Sequence, residues 1–78
     1  MTKRDELIAR IRARPAVARF ADVQGLLEEF GWQLQRETGS HVTFAKEGER
    51  SITVPKVGGR MVKRIYLDQI CDRLGLDE

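Results

Sequence analysis

The run Thr38-Gly39-Ser40-His41-Val42-Thr43-Phe44 carries the single histidine of a 78-residue chain. Imidazole is the one side chain whose ordinary pKa lies close to neutral pH, so it can both take and give a proton there. Gly39 and Ser40 sit between two extended patterns, and a glycine in first place supplies the positive φ of a type II′ hairpin turn. Beyond the turn the pattern alternates, with Val42 and Phe44 on one side and His41 and Thr43 on the other. If the apolar pair faces a core, His41 stands at the start of its strand on the open face. That position suits general acid–base chemistry on a bound substrate better than it suits packing.

Other chemistry is thinner. One histidine and one cysteine, far apart, do not make a zinc set, and nothing in the pattern calls for a metal or a cofactor. Ser40 beside His41 lacks an oxyanion site or a third partner, so hairpin chemistry accounts for it. Basic residues cluster instead. Between Met1 and Arg19 stand Lys3, Arg4, Arg10, Arg12, Arg14 and Arg19 against Asp5 and Glu6. Between Lys46 and Arg64 stand Lys46, Arg50, Lys56, Arg60, Lys63 and Arg64 against Glu47 and Glu49. The net charge is only +2, so it is the distribution that suggests a phosphate footprint; a solvated surface is the plain alternative. Lys46, Lys56, Arg60, Lys63 and Arg64 are the candidate phosphate-binding residues. Lys63 and Arg64 fall at a helix start, where each cation opposes the macrodipole by about 0.3–1 kcal/mol. A phosphate bound there turns that cost into attraction.

These residues need elements to hold them. Leu7, Ile8 and Ile11 predict an amphipathic helix over about 2–14, ending before Pro15. Val23, Leu26, Leu27 and Phe30 recur at i, i+3, i+4 and i+7, with Asp22 expected to cap the start and Gly31 to stop the end. Trp32 to Arg36 reads as a first strand with Trp32 and Leu34 inward, His41 to Lys46 as a second, and Ser51 to Val54 as a third. Lys56-Val57-Gly58-Gly59-Arg60 reads as a flexible basic loop. Tyr66, Leu67, Ile70, Cys71 and Leu74 predict a closing helix from about Lys63 to Leu74, stopped by Gly75. The expected class is α+β, in the order α-α-β-β-β-α: a three-stranded antiparallel sheet with the helices on one face. The other face carries Gln33, Gln35, His41, Thr43, Ser51 and Thr53. Trp32 is expected to pack rather than stack on bases, and Cys71 to be a small buried hydrophobe.

Length and composition set the frame. Residues 1–78 are expected to form one domain with a small core, and 41% hydrophobic content is enough for a globular chain. No apolar run approaches a membrane span, the N-terminus lacks the apolar region of a secretory signal, and one cysteine fits a reducing cytoplasm.

Taken together, Phe20, Phe30-Gly31-Trp32, Gly39-Ser40-His41 with Phe44, Val54-Pro55, Gly58-Gly59 with basic residues after it, and Tyr66-Leu67-Asp68-Gln69-Ile70 resemble the HicA-type (YcfA-like) toxins of bacterial toxin–antitoxin pairs. The resemblance runs from about Phe20 onward. It implies a fold like a double-stranded RNA-binding domain and a ribonuclease that cleaves mRNA and arrests growth. It also implies a HicB-type antitoxin partner that covers the active site, and it places the family's catalytic histidine at His41. Two departures stand out. Many members carry a second histidine after the strand-ending proline, where this chain has Lys56 and Val57, and many carry paired histidines in the hairpin, where Val42 follows His41. The group complementing His41 is left open among Lys46, Lys56, Tyr66, an arginine and water. A non-catalytic RNA-binding module and a protein-interaction domain are the competing readings.

Overall fold

Three apolar stripes at helical spacing become three helices in the computed structural model, which describes residues 2–77. Met1 and Glu78, the ends of the expected 1–78 unit, lie outside the described residues. Helix α1 spans Lys3–Arg12 and starts on Thr2, whose hydroxyl accepts from the Asp5 N–H at 3.2 Å, with Asp5 and Glu6 in the first turn. Strand β1 (Val17–Arg19) leads directly into α2 (Phe20–Glu29). Strands β2 (Gln33–Thr38), β3 (His41–Ala45), β4 (Ile52–Pro55) and β5 (Met61–Lys63) follow, and α3 (Arg64–Leu74) closes the chain.

The sheet is a meander of order β2-β3-β4, antiparallel throughout. Trp32, Val42, Phe44, Ile52 and Val54 are buried on its inner side together with Val23, Leu26 and Leu27 of α2 and Leu67, Ile70 and Cys71 of α3. Leaving the polar face of the sheet to solvent spares its threonines and histidine a desolvation cost. Helix α2 ends where Gly31, at φ +91°, reverses the chain and lets the Gly31 and Trp32 N–H groups bond the Glu28 and Leu27 carbonyls at 3.0 and 2.9 Å. That closure delivers Trp32 into the core.

Several expectations need correction. The order is not α-α-β-β-β-α: Val17–Arg19 and Met61–Lys63 form a second, two-stranded sheet, β1 with β5. Both strands are three residues long, too short for an alternation to stand out from the sequence. Helix α2 begins two residues before Asp22, with Arg19 as its cap and no side-chain cap bond; Asp22 instead pairs with Arg10 at 3.4 Å. The Lys56–Arg60 stretch is a tied turn rather than an open loop, since Val57 and Met61 exchange backbone hydrogen bonds of 2.7 and 3.1 Å. Leu34 is 39% exposed, on a strand at the edge of the sheet.

Helix α1 is tied into this frame. Leu7 and Ile11 are buried, and a Cβ on Gly25 of α2 would meet Leu7 Cδ1 at 3.3 Å, so the two helices approach closely there. Arg14, at φ +49°, turns the chain sharply after α1. Its Nε donates to Asp68 Oδ1 at 2.5 Å, its Nη2 pairs with Asp77, and its carbonyl accepts from Arg64 Nε at 2.8 Å. The hydrogen bonds to Asp77 and Asp68 hold this guanidinium above its ordinary pKa.

Candidate active site

The hairpin between β2 and β3 is the tightest available. Thr38 pairs with His41, and Gly39-Ser40 makes the two-residue loop. Gly39 has φ +59° and Ser40 does not have positive φ, which fits a glycine-first II′ turn and excludes type I′. On its other side His41 pairs with Pro55, the last residue of β4. The Lys56 N–H then donates to the Ser40 carbonyl at 2.7 Å, so the chain leaving β4 fastens the turn. His41 is exposed, and its ring makes no hydrogen bond among the described residues.

Register settles which side chains share its face, because directly paired residues point the same way. Thr38, His41 and Pro55 form one row across the sheet, and Arg36, Thr43 and Thr53 form the next. Glu37, Val42 and Val54 form the row between them on the inner side. No carboxylate holds a paired strand position on the face of His41.

Of the sequence candidates, the structure groups few around this ring. Lys46 follows the far end of β3, about 16 Å along the strand from His41 at 3.3 Å per residue, and its stem covers Gly31, where a Cβ would meet Lys46 Cε at 3.4 Å. The Lys56 side chain turns to the helix side of the sheet. Its Nζ donates to Glu37 Oε2 at 2.8 Å and sits 4.9 Å from the centre of the Phe20 ring, so its charge is already matched. Arg60 is exposed in the turn before β5 and accepts the Phe20 N–H on its carbonyl at 2.6 Å. It lines, with Arg19 and Met61, an open hollow of about 470 Å³. Lys63 and Arg64 are both exposed at the start of α3, and the Arg64 Nε donates to the Arg14 carbonyl at 2.8 Å. Tyr66 is half-buried against the core. Trp32 is buried, with the Arg73 guanidinium 5.4 Å from its ring centre.

The sequence pattern missed Arg36. Strict alternation from Trp32 and Leu34 would turn it inward. In the structure Leu34 pairs with Phe44 but Arg36 with Thr43, so Gln35 is one residue too many and the strand bulges. The bulge carries Arg36 to the open face. No residue type in Leu34-Gln35-Arg36 announces such an insertion.

A family model, the HicA toxin of bacterial toxin–antitoxin systems, matches residues 20–76. The chain belongs to the HicA toxin family. Membership implies the toxin of a toxin–antitoxin pair, with a cognate antitoxin, in a family known for mRNA interferases. No curated protein and no solved structure matches this chain. The matched span opens at Phe20, so α1 and β1 lie ahead of the HicA region although Leu7, Ile11 and Ala18 are part of its core. Among the described residues no helix of this HicA-family chain is long and apolar enough to cross a membrane.

Proposed function

We propose that this chain is a toxin endoribonuclease that cleaves mRNA in the cytoplasm without a metal, with His41 as its general acid–base group, and that a HicB-type antitoxin silences it. The carrying observation is the position of His41: an exposed, unbonded imidazole beside a tight hairpin, on the solvent face of a sheet in a HicA-family chain. The reading treats the sheet and its helices as a double-stranded-RNA-binding-domain-like platform, which grips phosphates and 2′-hydroxyls more than base edges.

The chemistry is a transesterification. The 2′-oxygen bonds to phosphorus as its proton passes to His41, and the P–O5′ bond breaks. The departing oxygen takes a proton from water, and the imidazolium returns its own to solvent. The products are a 2′,3′-cyclic phosphate and a 5′-hydroxyl. A base so placed contributes about 10²–10⁴-fold. Besides His41, the paired positions on this face carry Arg36, Thr38, Thr43, Thr53, Pro55, Gln33 and Ala45, with no carboxylate among them to hold a hard cation.

Purified protein with labelled RNA, with and without chelator and beside His41→Ala, tests the reading. Cleavage that survives chelator and is lost in His41→Ala, at unchanged melting temperature, is the expected result. An alanine variant that cleaves like the wild type overturns it.

A further inference from the structure

We propose that Arg36 is a second catalytic residue, whose guanidinium neutralises the phosphate while His41 takes the 2′-hydroxyl proton; this rests on the ribonuclease reading above. The bulge at Gln35 is what makes it possible. From Arg36 to Thr38 the pairing with β3 is again regular, so Arg36 and His41 stand on one face as diagonal neighbours. Such neighbours lie about 7–8 Å apart, within reach of a long side chain. One phosphate seated against the imidazole is therefore accessible to the guanidinium. Bulges commonly re-aim a side chain beside a functional site.

Arg36 is also uncommitted. It is exposed and belongs to no ion pair among the described residues. Three other cations of the fold differ. Lys56 is paired with Glu37 on the other face, Arg64 holds the Arg14 carbonyl and Arg73 holds the Arg50 carbonyl. Glu37, next in sequence to Arg36, points away from it across the sheet.

The chemistry needs such a group. As the O2′–P bond forms and the P–O5′ bond breaks, negative charge builds on the non-bridging oxygens. A guanidinium keeps all its protons near neutral pH and offers two parallel N–H donors to two oxygens. A donor placed where charge develops binds the transition state more tightly than the bound substrate, and that difference is what speeds the step.

The test is steady-state cleavage of a labelled RNA oligonucleotide by wild type, His41→Ala, Arg36→Ala and Arg36→Lys, each with a thermal melt. Arg36→Ala is expected to lower kcat by about 10²–10³-fold, as loss of one such donor does elsewhere, with the melt unchanged. KM should move by less than about threefold. Arg36→Lys should recover part of the rate. Millimolar guanidinium chloride should restore Arg36→Ala in part, where sodium chloride at equal ionic strength does not. If Arg36→Ala does not fold, Arg36→Gln is judged by the same criteria. A kcat within about threefold of wild type, or a loss confined to KM, overturns the assignment. Wild-type protein that fails to cleave, or His41→Ala that cleaves, sinks the ribonuclease reading itself. An inactive His41→Ala beside an active Arg36→Ala sinks only the role of Arg36.

Discussion

Lys56 Nζ and Glu37 Oε2 lie 2.8 Å apart beside the turn of the hairpin, on the side of the sheet away from His41. Glu37 shares its row with Val42 and Val54, and the ammonium rests over the Phe20 ring. The pair therefore joins the hairpin that bears His41 to the start of α2. The charge of Lys56 is already matched inside the protein by Glu37.

Lys56→Ala is accordingly expected to cost stability more than RNA affinity. The Lys56 side chain is 13% exposed and Glu37 45%, so solvent screens the pair. A loss of about 0.5–1.5 kcal/mol, cation–π contact included, is the expected scale. Urea unfolding reads the loss. The slope of log K against log salt for RNA binding should stay as in the wild type; a shallower slope would mean that Lys56 leaves Glu37 to meet phosphate.

Lys63 and Arg64 part company in the structure. Both stand at the start of α3, where no side chain caps the helix, yet Arg64 is engaged with the Arg14 carbonyl and Lys63 is exposed. Lys63→Glu should therefore weaken RNA binding and lower the salt slope by about 0.7–0.9, the share of one phosphate, with little change in melting temperature. Arg64→Glu should lower the melting temperature first, by freeing the carbonyl of Arg14 at its positive φ. A Lys63→Glu variant with an unaltered slope would remove α3 from the RNA interface.

The parts of this molecule legible in the sequence are those set by repeated local choices. Val23, Leu26 and Leu27 mark a helix face, Val42 and Phe44 a strand face, and Gly39-Ser40 a turn, and all of them appear in the structure. His41 on the open face follows from the same alternation. What stayed hidden depends on partners distant in sequence. Pairing of β1 with β5 joins Val17 to Lys63, and neither segment is long enough to show a period. The bulge at Gln35 inverts the side of Arg36, since one added residue exchanges the two faces of a strand. The Lys56–Glu37 pair could be seen only after that inversion was known.

Cys71 gives a pH dependence of known sign. Burial pushes its thiol pKa up, and its Sγ is 3.9 Å from the Ile11 carbonyl. In the unfolded chain the thiol ionises near its ordinary value of about 8.5. Above that pH the unfolded state sheds the proton first while the folded state keeps it, so folding stability falls as pH rises; below it the contribution is constant. Wild type should lose more melting temperature than Cys71→Ala on going from about pH 7.5 to about pH 9.5. Parallel losses in the two proteins would show that the buried thiol carries none of the effect.

Helix α1 precedes the HicA region yet supplies part of its core, so the region alone should not fold. Ile11 is 1% exposed and Leu7 4%. Arg4 covers the Phe30 ring at 4.4 Å, Arg10 pairs with Asp22, and Arg14 reaches Asp68 and Asp77 near the opposite end of the chain. Removing residues 1–19 would uncover the faces of α2 and α3 that Leu7 and Ile11 now cover, take β1 from β5, and break these ties together. Ile11→Ala alone should cost about 2–5 kcal/mol, as emptying a buried aliphatic site does. That is a large share of the roughly 5–15 kcal/mol that holds a domain together. Urea midpoints should therefore drop sharply for Ile11→Ala, and a fragment of residues 20–76 should show no cooperative transition by circular dichroism. A fragment that melts cooperatively near the wild-type temperature would make α1 and β1 accessories to the fold rather than supports of it.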